Sequence, residues 1–212
     1  IQPETTLSIT STASVSREPD LAYINAGVET QRETAADALA ENAERMNGLF
    51  AALEEAGVEK RDIQTRNFNI SPRYDYRNDQ PPRLLGYTAS NGVRAKITDL
   101  DNLGRTVDAL VNAGGNTLDG ISFALEDDSK ALDAARKEAM AAALARAQLY
   151  ADAAGYRVSR IVSIAEGGSR AGQPQSRVFE ARSAIAGASA SPVSAGELEF
   201  SATVTVLFEL AK

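Results

Sequence analysis

The chain has 212 residues, a formal net charge of −7 and a pI near 4.8, and it contains neither cysteine nor histidine. Binding to a phosphate backbone relies on clustered Lys and Arg, so nucleic acid is not an expected partner. Without His or Cys, the common Ser-His-Asp and Cys-His nucleophiles are excluded, and zinc, blue-copper and iron-sulfur sites lose their usual ligands. No cofactor is expected.

The longest purely apolar runs are a few residues, short of the ~20 that a helix needs to cross a bilayer. The length is sufficient for a self-supporting core without disulfides or metals. Absence of cysteine is compatible with export, because an oxidising compartment penalises stray thiols. A start at Ile1 rather than Met is compatible with a leader removed from a precursor.

Residues 5 to 16 alternate, with Leu7, Ile9, Ala13 and Val15 on one side and Ser8, Thr10, Thr12 and Ser14 on the other, which predicts a half-buried strand. Pro19-Asp20 reads as a turn. Ala22, Ile24, Ala26 and Val28 repeat the alternation, so the two segments are expected to form a hairpin. From Thr34 the period changes to three-and-four spacing through Ala36, Leu39, Ala43, Met46, Phe50 and Leu53. Thr34 with Asp37 resembles a capping box, and Gly57 supplies the stop.

Phe68, Ile70, Pro72, Tyr74 and Tyr76 alternate again. A polar loop from Arg77 to Arg83 leads to Tyr87, Ala89, Val93, Ala95 and Ile97, so this region reads as a long hairpin with an extended tip. Pro72 cannot donate to a ladder, which places its strand at an edge or a bulge. Leu100, Leu103, Val107 and Leu110 predict a second helix ending at Gly114-Gly115, and Ile121, Phe123 and Leu125 a fifth strand. The order from about 21 to 125 is βαββαβ, the split βαβ of ferredoxin-like units.

A third, alanine-rich helix is predicted from about Ser129 to Ala154, suited to close packing. Val158 to Ala165 reads as a short strand. Residues 167 to 192, dominated by Gly, Ser, Ala, Pro and Gln, are expected to form a mobile or partner-ordered loop. The final strand is the clearest, with Leu198, Phe200, Ala202, Val204, Val206, Phe208 and Leu210 on one side. The expectation is an α+β fold with helices on one face of a mainly antiparallel sheet. The ferredoxin-like unit is preceded by a strand and followed by the long helix and further strands.

With the elements placed, the junctions resemble those of the SIMPL-domain family, whose bacterial members include YggE-like proteins and periplasmic or outer-membrane immunogenic proteins. The stretches that carry the resemblance are Pro19-Asp20, Asp62-Ile63-Gln64-Thr65, Ile70-Ser71-Pro72-Arg73-Tyr74-Asp75-Tyr76, Gly86-Tyr87-Thr88-Ala89-Ser90-Asn91, Gly114-Gly115-Asn116 with Ile121-Ser122-Phe123, the alanine-rich helix and Gly196. It runs from about residue 7 to 210 and implies one SIMPL-like domain over 1–212, divisible into 1–125 and 126–212. It further implies a precursor with a signal peptide, a periplasmic or envelope location in a Gram-negative bacterium and ring- or channel-like oligomers. It carries over no catalytic residue and no established activity.

Arg73, Tyr74, Tyr76 and Tyr87 form the main interaction candidate, because neighbouring strands would gather three phenols and a guanidinium near the hairpin tip. Tyr and Arg are enriched at interface hot spots. Aromatic cross-strand pairing that merely steadies the hairpin is the competing reading. Glu126-Asp127-Asp128 has oxygen ligands that suit a hard cation, against the simpler reading that these acids favour the N-terminus of the third helix. Gly114-Gly115-Asn116 and Gly167-Gly168-Ser169 lack a phosphate-loop lysine and read as caps and turns. The segment 167–192, with Arg170, Arg177 and Arg182, offers contact with an acidic lipid surface, the lining of a pore, or a solvated linker.

The leading functional expectation is a non-enzymatic envelope protein that works as a homo-oligomer, in stress protection or envelope integrity, with peripheral contact to the outer membrane. The alternatives are a monomeric or dimeric module binding a protein or small ligand through Tyr74, Tyr76 and Tyr87, and a carboxylate-based hydrolase.

Overall fold

A computed structural model of the chain describes residues 5–76, 81–174 and 191–212. The elements, in order, are β1 (Thr5–Arg17), β2 (Leu21–Arg32), α1 (Ala35–Glu55), a 3-10 turn (Lys60–Asp62), β3 (Ile63–Asp75), β4 (Arg83–Ile97), α2 (Leu103–Asn112), β5 (Thr117–Ala124), α3 (Ser129–Ala153), β6 (Arg157–Pro174) and β7 (Leu198–Ala211). They divide into two compact units, one made of Asp20–Ala124 with residues 191–195, the other of the segments that carry β1, α3, β6 and β7. We call these the insert unit and the terminal unit.

In the insert unit, four antiparallel strands lie in the order β3-β4-β2-β5, with α1 and α2 packed on one face. This is the ferredoxin-like arrangement that the βαββαβ order predicts. Ala22, Ile24, Ala26 and Val28 of β2 and Val93, Ala95 and Ile97 of β4 meet Met46, Leu49 and Leu53 of α1 and Leu103, Val107 and Leu110 of α2. Polar side chains also enter this unit's interior, among them Thr30, whose hydroxyl donates to the Ala38 carbonyl of α1 at 2.7 Å. Asn42 is buried, and its Nδ2 donates to the carbonyls of Val28 (2.9 Å) and Ala89 (3.1 Å), tying the middle of α1 to two strands.

Helix boundaries follow the predicted chemistry. The Thr34 hydroxyl accepts from the Asp37 amide at 3.1 Å, capping the helix, and donates to the Asp37 carboxylate at 2.6 Å. Each of the three helices ends in a Schellman motif closed by a glycine of positive φ: Gly57, Gly114 and Gly155. The unit's entry and exit also meet, through an Asp20 amide that donates to the Ala124 carbonyl at 3.2 Å.

In the terminal unit, β7 lies between β1 and β6, antiparallel to both. β1 therefore does not form the expected hairpin with β2. Its thirteen residues pair in unbroken register from Thr5↔Leu210 to Arg17↔Leu198. The apolar alternation of β1 matches that of β7 on one face, and on the other Thr10–Thr205 (3.0 Å) and Thr12–Thr203 (2.8 Å) hydrogen-bond across the ladder.

β6 is the second departure. Its 18 residues run through Gly167-Gly168 to Pro174, so the first part of the expected loop 167–192 is strand paired with β7. Four register shifts break its alternation, one of them spanning Gly167-Gly168, which therefore sit at a bulge rather than in a turn. Residues 175–190 of that loop, with Arg177 and Arg182, lie outside the described residues, as do residues 77–80 of the hairpin tip.

α3 packs on this sheet through one row. Ala131, Ala135, Ala139, Ala143, Ala147 and Ala151 are all buried, four residues apart. The i, i+4 rows of a helix are inclined about 26° to its axis, so a row of small residues forms a slanted groove that can follow a twisted sheet. Ile9, Val204, Val206 and Phe208 fill it. Arg146 closes the contact, donating to the Thr10 carbonyl (3.2 Å) and to the buried Ser11 hydroxyl (2.9 Å).

Two substitutions and one control test these contacts by urea denaturation. Ala143→Leu overpacks the groove and is expected to cost about 1–3 kcal/mol, whereas the exposed Ala145→Leu should change stability by less than about 0.5 kcal/mol. Asn42→Ala leaves two buried carbonyls without their donor and should cost about 1–3 kcal/mol.

Candidate functional site

The hairpin of β3 and β4 brings the sequence-predicted cluster to one end of the insert-unit sheet. β3 is an edge strand, which accommodates Pro72. Pro72 pairs with Tyr87, Arg73 with Gly86, and a register shift follows before Tyr74 pairs with Leu84. Tyr74 and Tyr76 touch, their ring centroids 6.2 Å apart at a tilt of 55°, within the range for a favourable aromatic pair. Tyr76 is 75% exposed and Tyr74 44%, and Arg73 is exposed beside them. Tyr87 is half-buried opposite Pro72, so the structure unites two of the three phenols as a ring pair and sets the third two ladder pairs away.

The same edge carries a second exposed aromatic. β3 leaves register between Arg66 and Asn69, Asn67 adopts a φ of 54°, and Phe68 stands 64% exposed. The strand begins five residues earlier than the Phe68 alternation indicated, because Ile63 to Arg66 pair with β4 before the bulge.

A site that sequence reasoning missed lies on the face of this sheet opposite the helices. Side chains alternate across a strand, so the residues between the buried ones of β2 and β4 point to that face: Tyr23 and Asn25, Arg94 and Lys96. Of these, Tyr23, Arg94 and Lys96 line a cleft of about 540 Å³ together with Arg61, Asp62, Ile63 and Gln64. The Arg94 guanidinium lies 3.9 Å above the centre of the Tyr23 ring, and Arg66 donates to Asn25 Oδ1 at 3.0 Å. Three cations face one carboxylate in a chain that is acidic as a whole. The residues come from three strands and a turn, so no local motif marks them; the polar alternation of Arg94 and Lys96 between Val93, Ala95 and Ile97 is the trace they leave in the sequence.

The other predicted residues have structural settings. Asp127 accepts from the Ser129 amide at 3.0 Å and sits just before α3, where a carboxylate favours the helix dipole. Among the described residues no group of three or more acidic side chains gathers as a metal site. Gly114-Gly115 close α2, and Asn116 pairs with the β2 backbone, accepting from the Glu29 amide and donating to the Glu29 carbonyl, both at 2.7 Å.

The architecture defines an α+β protein built of two antiparallel sheets, with exposed aromatics at one sheet edge and a basic cleft on one sheet face. Residues 7–208 match the SIMPL family, described as a protein of unknown function (DUF541), and the chain belongs to that family. It is 33% identical over 211 residues to the 26 kDa periplasmic immunogenic protein of Brucella melitensis biotype 1, covering 96% of this chain and 84% of that protein. It is also 31% identical over 205 residues to the uncharacterised protein YggE of Escherichia coli K12, covering 94% and 80% of the two chains. The uncharacterised YggE of Edwardsiella ictaluri is 28% identical over 203 residues, at 95% and 85% coverage.

The Asp127 carboxyl is held below its ordinary range, first by the hydrogen bond from the Ser129 side chain and then by that from the Ser129 amide. A depressed carboxylate stabilises the fold above its unfolded-state pKa, and that contribution disappears as pH falls through the lower folded-state value. An NMR titration should place the Asp127 midpoint below that of an unperturbed Asp. In Ser129→Ala it should move up part of the way, the amide bond remaining.

Proposed function

We propose that this chain is a non-enzymatic periplasmic protein that works as a homo-oligomer. The observation that carries the reading is the β6 edge. Edge strands present unpaired backbone donors and acceptors, and monomeric proteins protect them with charge, proline or cover. Register shifts and Pro174 interrupt parts of β6, but Ile161, Val162 and Ile164 are all substantially exposed, Ile164 at 58%, and among the described residues the strand has β7 on one side only. A second copy of the chain offers the complementary edge, since β1 closes the other side of the same sheet. The name of the Brucella relative supports the periplasmic part of the reading, and a chain without thiols suits an oxidising compartment.

Native mass spectrometry at micromolar concentration is expected to give a discrete oligomer, and Ile164→Lys to shift it to monomer with the circular dichroism spectrum unchanged. A wild-type protein that is monomeric throughout would overturn the proposal. The associated task, protection of the envelope under stress with peripheral contact to the outer membrane, predicts that a deletion strain survives envelope stress less well. Complementation by the wild type but not by Ile164→Lys would connect that phenotype to assembly.

A second reading rests on the tip. Tyr74 and Tyr76 form an exposed ring pair beside Arg73, the residue types that dominate binding hot spots. In a module that captures a partner there, Tyr74→Ala with Tyr76→Ala abolishes capture while the melting temperature stays within a few degrees. An unchanged pull-down profile would remove this reading.

A further inference from the structure

The cleft on the face opposite the helices is not used by either reading above, and its chemistry is specific. Arg94 is positioned from below by Tyr23, whose ring face attracts the guanidinium at 3.9 Å. Stacking fixes the plane of the fork and leaves its edge to meet a planar or tetrahedral oxyanion with paired N–H donors. The Nε atom of Arg94 is buried and has no hydrogen-bond acceptor among the described residues. Enclosed in this way, Nε is held by the stacking contact, and the part of the half-buried Arg94 side chain that faces the cleft is what meets a ligand. Lys96 and Arg61 line the same space, with Gln64 as a further donor. The carboxylate of Asp62 also lines it, and Arg61 is partly neutralised by Glu59 at 3.0 Å, so Arg94 is the principal anchor. The volume, about 540 Å³, is that of a small-molecule site rather than a single-ion site.

We propose that this cleft binds a small soluble molecule bearing a phosphate or carboxylate group, anchored by the Arg94 guanidinium on its Tyr23 platform with Lys96 and Arg61 beside it. The ligand class follows from the donor set. The Arg94 fork supplies paired donors for an oxyanion in a basic surrounding, and the one carboxylate in the lining disfavours extended polyanions. The proposal is independent of oligomerisation, because every residue it uses belongs to the insert unit.

The test titrates the full-length chain, at constant ionic strength, with inorganic phosphate, with succinate, and separately with vesicles of phosphatidylglycerol against phosphatidylcholine. Binding is followed by calorimetry and by the Arg side-chain Nε–H NMR signals. The expected result is saturable binding of phosphate or succinate with a shift of the Arg94 signal. Arg94→Lys should weaken it about tenfold, since charge is kept but the stacked fork is lost. Tyr23→Leu should weaken it several-fold, and Arg105→Ala, a cation elsewhere on the insert unit, should leave it unchanged. Binding of phosphate alone or succinate alone upholds the proposal and assigns the group. Saturation by neither, binding to anionic vesicles only, or equal losses in Arg94→Lys and Arg105→Ala would each overturn it.

Discussion

The terminal unit depends on β7 standing between β1 and β6. That single strand supplies both ladders of its sheet, and its inner face, Phe200, Ala202, Val204, Val206 and Phe208, is buried throughout. Burial of each large side chain contributes about 1.5–3 kcal/mol. α3 has no comparable resource of its own. Its buried row is alanine throughout, so its attachment comes from close approach to this strand and to β1 rather than from apolar bulk.

The small side chains of that row and the large ones of β7 are complementary choices. An alanine groove admits the sheet closely, where Phe208 and Val206 fill the remaining space. Arg146 reaches around the row to satisfy a buried hydroxyl and a strand carbonyl, so the only polar group buried in β1, Ser11, has a partner. In the insert unit, Asn42 does the equivalent work between α1 and two strands. Each unit thus combines an apolar core with buried polar ties that fix helix against sheet, Thr30 to the Ala38 carbonyl being another in the insert unit.

Much of this was legible because it is local. Helix periods, the Thr34 cap, the glycine stops, the edge position of Pro72 and the βαββαβ order all follow from residues close in sequence. Partner choice is not local: β1 and β2 both alternate and a turn signal lies between them, yet matched threonine faces across some 190 positions win over proximity. The later half of β6 was hidden because bulges at Gly167-Gly168 and beyond destroy the period that identifies a strand. The tip residues were readable as a cluster, since one hairpin holds them. The basic cleft was not, because Tyr23, Arg61, Arg94 and Lys96 converge only once the strand order β3-β4-β2 is formed.

The hydrogen bond between Asp20 and Ala124 has a kinetic meaning. Bringing β1 to β7 and α3 requires the ends of a loop of roughly a hundred residues to meet, an entropic cost of about 4 kcal/mol for a flexible chain. A folded insert unit has already joined those ends, and the remaining closure is that of a few residues. The insert therefore acts as an internal clamp: its own local contacts shorten the search that the chain termini must make for each other.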